Sequence, residues 1–154
     1  MTDGGSSIPA VRALLRVLAA GRDVAELGTA YGEGTAAMAE TARTVVTVEL
    51  DPERAAIARE RLEPFSNVES LEGDAYELLE GTFGLVFADD GVYDWERIVE
   101  LTEVGGVIVK DDLTPGRAVD GDTVREFLLR DPRLAAVEIL TTPGTAAIVA
   151  VRLR

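Results

Sequence analysis

The chain has 154 residues, 47% of them hydrophobic and 28% charged, with a formal net charge of −13. That length suits one domain, 1–154, with its own core, and the negative balance argues against nucleic-acid or anionic-membrane partners, because no basic face can be large. Cysteine and histidine are absent; disulfides and thiolate metal sites are excluded, and proton transfer near neutral pH falls to carboxylates, tyrosines, water, a metal or the single lysine, Lys110.

Ile8, Val11, Leu14, Leu15 and Leu18 recur at helical spacing behind Pro9, predicting a helix over 8–20. A short strand over 23–28 ends at a glycine, and a helix over 33–42 follows. The run TVVTVEL, 44–50, is a valine-rich strand. Asp51 and Pro52, an N-cap followed by proline, open a helix that runs to about residue 62. Next come a strand at 67–71, a short helix at 75–79, a strand at 83–89, a helix at 93–101 and a strand at 106–110. A helix over 119–129 turns Val124, Phe127 and Leu128 inward. Two strands, 135–141 and 146–153, flank the hairpin signal TTPGT. Alternating strands and helices predict an α/β fold: a doubly wound, Rossmann-like, mostly parallel sheet with an antiparallel C-terminal hairpin. No apolar run approaches the ~20 residues of a membrane span. The Gly- and Ser-rich residues 1–7 lack the pattern of a signal peptide and are expected to be mobile unless a ligand orders them, so a cytoplasmic location is expected.

In open sheets of this kind, ligands bind beyond the carboxyl ends of the strands. The first strand ends in ELGTAYGEGT, where Gly28, Gly32 and Gly34 allow a tight turn and close approach. Glu49 ends the second strand, where an acidic residue binds the ribose hydroxyls of a nucleotide cofactor. A nicotinamide dinucleotide fingerprint needs glycines where Ala30 and Glu33 stand, and Glu33 would repel a pyrophosphate. S-adenosylmethionine (SAM) has no phosphate and carries an ammonium and a sulfonium, so Glu26 suits it.

The segments VAELGTAYGEGT, TVVTVELDPERAAIARERL, VESLEGDAYELL, FGLVFADDGVYDW, VGGVIVKDDL and EILTTPGTAAIVAVRLR cover nearly the whole chain in order. Together they resemble a class I SAM-dependent methyltransferase, closest to the catechol and caffeoyl-CoA O-methyltransferase branch. The resemblance implies seven strands in the order 3-2-1-4-5-7-6. It implies that Glu49 holds the ribose, that Leu50 packs on the adenine, and that Asp74, with Ala75 beside it, reaches the adenine amino group. Glu26, Gly28 and Gly32 would border the methionine part, and Ser6 and Ser7 would lie over it; an alternative for Asp74 is a helix cap.

Two strands each stop at paired aspartates, in FADDG and VKDDL. The resemblance implies that Asp89, Asp111 and Asp112 hold Mg²⁺ or Ca²⁺, that Asp89 also borders the cofactor, and that Asp89 and Asp111 serve catalysis. Asp112 stands where the family has Asn, and Val92 where it has a catalytic lysine. Lys110, next to Asp111 in a strand, should point to the opposite face, and Asp90 reads as a turn residue. Family members carry further helices before the first one here, so the acceptor pocket is expected to be open or completed by a homodimer, with Trp95 and the 113–118 loop, including Arg117, as its walls. The expected activity is O-methylation of a small-molecule hydroxyl, with a metal as an open question. Alternatives are a nitrogen or carbon acceptor, a non-catalytic SAM-binding protein and, less favoured by the glycine spacing, a nicotinamide oxidoreductase.

Overall fold

The computed structural model describes residues 7–89, 91 and 93–154; Ser6, Asp90 and Val92 lie outside them. The elements are α1 (Pro9–Ala19), β1 (Asp23–Leu27), α2 (Glu33–Ala39), β2 (Thr44–Glu49), α3 (Pro52–Leu62), β3 (Val68–Glu72), α4 (Ala75–Leu78), β4 (Phe83–Ala88), α5 (Trp95–Leu101), β5 (Thr102–Leu113), α6 (Thr123–Arg130), β6 (Leu134–Thr142) and β7 (Thr145–Arg152). Seven strands form one sheet in the order β3-β2-β1-β4-β5-β7-β6. The first five strands pair in parallel, and β7 runs antiparallel to both β5 and β6.

The two-residue period of the strands divides the core. Val24, Leu85, Phe87, Val107 and Val109 face Val11, Leu15 and Met38 of α1 and α2. Their neighbours Ala25, Leu27, Val86, Ala88 and Ile108 face Ile98, Val99 and Leu128 of α5 and α6. Central strands buried on both faces explain the near-continuous apolar runs of the sequence.

Local chemistry moves several boundaries. The Asp51 carboxylate accepts from the Glu53 amide at 2.9 Å, fixing the start of α3 where the sequence places it. Asp94 caps α5 and Asp122 caps α6 through the Arg97 and Arg125 amides, at 3.0 and 3.1 Å. These caps start the two helices at Trp95 and Thr123, later than helical periodicity alone suggests. Helix α2 stops at Ala39 rather than Ala42, in a turn whose Thr41 hydroxyl donates to the Arg16 carbonyl at 2.6 Å. Strand β5 is longer than expected and irregular: Lys110 pairs with Ile148 while Leu113 pairs with Ala146. Three steps on β5 thus oppose two on β7, a bulge at Asp111 and Asp112 that puts Asp112 at φ 59°.

Candidate functional site

Strand order reverses between β2 and β4, on either side of β1, so the ends of β1, β2, β4 and β5 gather around one crevice. From β1 the chain passes through Gly28, Ala30 and Gly32, all at positive φ (94°, 49° and 86°). The Gly28 and Thr29 amides donate to the Val48 carbonyl at 2.9 and 3.2 Å, and the Ala30 amide donates to Glu49 Oε2 at 3.3 Å. The turn is thereby tied across the end of β2. Gly34, early in α2, is glycine for a visible reason: a β-carbon there would lie 3.1 Å from both Glu26 Oε2 and Ser7 Oγ.

Glu26 is fully buried beneath this turn. Its Oε1 accepts from the Thr47 hydroxyl at 2.7 Å and from the Thr35 hydroxyl, and Thr47 is in turn 2.6 Å from Thr29 Oγ1. Burial pushes its carboxyl up from 4.5 to about 7; the two hydroxyl donors oppose this, and the charges of Asp111 and Glu49 add to it. Glu49 is also buried and raised by desolvation, an effect the Ala30 amide and Arg54 oppose.

A cleft of about 320 Å³ opens above these strand ends, lined by Gly28, Ala30, Glu49, Leu50, Arg54, Asp74, Ala75, Tyr76 and Asp89 among others. Leu50 exposes 71% of its surface into a place where an apolar, planar partner would cover it. Asp74 caps α4 by accepting from the Tyr76 amide at 2.9 Å and lines the cleft as well. Ser7 is buried beside Gly34, its carbonyl held by Arg12 and its hydroxyl without a hydrogen-bond partner among the described residues.

Asp89 and Asp111 come together at the ends of β4 and β5, each acting on the other's carboxyl. Burial raises both carboxyls; for Asp89 the charge of Asp111 adds to it, and for Asp111 the charge of Lys110 opposes it. Asp112 is exposed by the bulge, apart from that pair. Among the described residues no group of three or more Asp, Glu, His or Cys side chains is placed to hold a metal ion. Magnesium is commonly held by one or two carboxylates with waters completing its shell; the pair that could do so here already has a cation beside it. Lys110 departs from simple alternation: its ammonium donates to the Asp111 carbonyl and lies 4.0 Å from Asp111 Oδ1. Trp95, expected as a pocket wall, stacks on Tyr93 and Phe127, at 4.8 and 6.0 Å between ring centroids, and packs against the core.

The sequence reading misses Thr47, Thr35 and Arg54. Thr47 pairs directly with Glu26 in the β1–β2 register, a signal that needs the register to be visible. Arg54 lies one helical turn after the Asp51 cap, facing the cleft.

A sequence family described as a methyltransferase domain matches residues 25–104, from β1 into β5 and just over half of the chain. The chain belongs to the methyltransferase-domain family. No curated protein matches its sequence. Among solved structures, the O-methyltransferase TomG from Streptomyces achromogenes, in complex with SAM, is 23% identical over 100% of this chain and 84% of its own, with a TM-score of 0.77. An O-methyltransferase from Bacillus cereus in complex with S-adenosylhomocysteine (SAH) is 23% identical over 96% and 83%, with a TM-score of 0.79. The cofactor-bound Rv0187 from MTB is 26% identical over 96% and 81%, with a TM-score of 0.76. The tRNA methyltransferase TrmI from Aquifex aeolicus shares the fold at 18% identity over 100% and 72%, with a TM-score of 0.73. This methyltransferase-domain chain therefore has the class I fold expected from its sequence.

Proposed function

We propose that the chain binds SAM in the cleft at the ends of β1 and β2 and transfers its methyl group to a hydroxyl oxygen of a small molecule. One observation carries the proposal: buried Glu49, anchored by the Ala30 amide, stands beside bare Leu50 and opposite Asp74 on one cleft wall. Glu49 would accept from the two ribose hydroxyls, Leu50 would cover one face of the adenine, and Asp74, beside Ala75, would accept from its amino group. Glu26, with Gly28 and Gly32 above it, would face the cationic methionine part. Ser7 Oγ is the hydroxyl available nearby.

The bound cofactor supplies a methyl carbon on a sulfonium; the acceptor oxygen forms the new bond to carbon and the C–S electron pair returns to sulfur. The chain's own part is to orient and to take a proton. Orientation comes from a rigid cleft built on strand ends. The acceptor's proton would pass to Asp89, the carboxyl of the pair that lines the cleft, with Asp111 buried behind it. No step is assigned to a metal. The acidic rim, with Asp112 exposed at the bulge, disfavours anionic acceptors and nucleic acid. It also favours a second acceptor class, an amine drawn to the same carboxylates.

Calorimetric titration with SAH tests the cofactor, and a panel of phenolic and amine acceptors, followed by mass of the methylated product, tests the acceptor. Micromolar SAH binding, about −8 kcal/mol, and methylated phenols are expected. No heat in folded protein removes SAM from the proposal; methylated amines with unmodified phenols remove the hydroxyl.

A further inference from the structure

Lys110 is the only lysine of the chain. It is 7% exposed, and three groups converge on its ammonium. The Asp111 carbonyl accepts from it, Asp111 Oδ1 lies 4.0 Å away, and the Tyr93 ring centroid lies 5.3 Å away. A cation over an aromatic face beside a carboxylate is a built cation position. Asp111 is only 4% exposed, and its Oδ1 has no hydrogen-bond partner among the described residues. A buried carboxylate oxygen left open in this way leans on the ammonium 4.0 Å away for its compensation.

We propose that the Lys110 ammonium is a built-in cation that takes the place of a divalent metal at the Asp89–Asp111 pair. The bulge in β5 makes this possible. It turns Asp112 out to solvent, which takes away the third carboxylate. It also brings the lysine's long stem and the Asp111 carboxylate to the same end of the strand. A metal ion at the pair would sit within a few ångströms of a fixed positive charge in a poorly solvated place, where like charges repel strongly. Lys110 is on this account a positioning residue: it acts through Asp111 on Asp89, the carboxyl that lines the cleft. The inference rests on the SAM-binding proposal for its catalytic meaning, but the cation position can be tested without it.

The test uses Mn²⁺ as the metal probe, followed by loss of the free-ion paramagnetic resonance signal, on wild type, Lys110→Met, Lys110→Arg and Asp111→Asn proteins. SAH titrations with and without chelator run on the same samples. Wild type and Lys110→Arg are expected to take up no stoichiometric Mn²⁺ at about 0.1 mM, and chelator should leave wild-type SAH affinity unchanged. Lys110→Met is expected to bind Mn²⁺ at least about tenfold more tightly than wild type. Combining it with Asp111→Asn should cancel that gain. One Mn²⁺ per wild-type chain, lost in Asp111→Asn, overturns the proposal. So does a Lys110→Met protein that binds SAH yet gains no Mn²⁺. Should Lys110→Met fail to fold, wild-type uptake decides alone. Absent SAH binding by wild type would refute the cofactor proposal, while the Mn²⁺ result still decides on Lys110.

Discussion

Replacing Glu26 with glutamine should stabilise the free protein at alkaline pH and weaken its hold on SAH. The folded-state carboxyl is raised from 4.5 to about 7, chiefly by burial. The difference, 7 minus 4.5, is 2.5 units, or about 3 kcal/mol at about 1.4 kcal/mol per unit. The folded pKa lies above the unfolded one. The favourable contribution is therefore fully present below about pH 4.5 and is lost as pH rises through about 7. Above that, the folded chain holds an ionised, desolvated carboxylate. Glutamine removes the charge but keeps Oε1, the atom that accepts from both Thr35 and Thr47. At pH 8 the variant should gain about 2–3 kcal/mol, a rise in melting temperature of about 6 °C for a chain of this size. At pH 5, where the folded wild-type side chain is neutral, the gain should shrink to less than about 1 kcal/mol. The ligand responds in the opposite sense. If the cofactor's ammonium needs the ionised form, wild-type SAH affinity should fall about a hundredfold from pH 8 to pH 5. The variant's affinity should be low and flat. Thermal melts and calorimetry at the two pH values are sufficient. A variant no more stable than wild type at pH 8, or wild-type SAH affinity independent of pH, would refute the placement of Glu26 as a buried anion awaiting a cation.

Glu49→Ala removes an anchored carboxylate from the cleft and should weaken SAH binding by about 2 kcal/mol, roughly thirtyfold, with the melting curve little changed; calorimetry beside thermal melts checks both. Gly34→Ala puts a methyl group 3.1 Å from Glu26 Oε2 and Ser7 Oγ; it should cost about 1 kcal/mol of stability in urea unfolding and displace the segment over the methionine end, weakening SAH binding too. Arg125, 2% exposed, donates to Glu138, Asp122 and the Thr114 carbonyl at 2.5, 2.6 and 2.6 Å. Arg125→Met leaves three partly exposed acceptors to water and should cost about 1–3 kcal/mol in urea unfolding.

Much of the sheet was legible because its signals are local. Valine-rich runs, the Asp51–Pro52 start and the TTPGT hairpin each declare an element within a few residues. Glu49 and Leu50 were legible too, since the end of a second strand is a fixed place in this architecture. The β5 bulge was not. Alternation sends Lys110 and Asp111 to opposite faces, and only the pairing of Leu113 with Ala146 reveals the extra residue. The same bulge decides that Asp111 is buried while Asp112 is not. The starts of α5 and α6 were misplaced because a capping aspartate outweighs helical periodicity: Asp94 and Asp122 fix them by single hydrogen bonds. Arg125 went unread on α6; its burial depends on Glu138 of β6, thirteen residues away.

The crevice concentrates like charge. Glu26, Glu49, Asp89 and Asp111 end four neighbouring strands, and burial raises the carboxyl of each. A chain selected for stability alone would not gather them. Arg54 answers part of the charge at Glu49, and Lys110 part of that at Asp111 and Asp89. The main neighbours that act on Glu26, among the described residues, are two hydroxyls and two carboxylates. On the proposed reading, a positive ligand next to Glu26 would relieve this burden. SAM, with an ammonium and a sulfonium and no phosphate, meets that requirement, whereas a dinucleotide would add negative charge to it. The energetic defect at Glu26 thus selects the same cofactor as the glycine spacing, by a separate physical route.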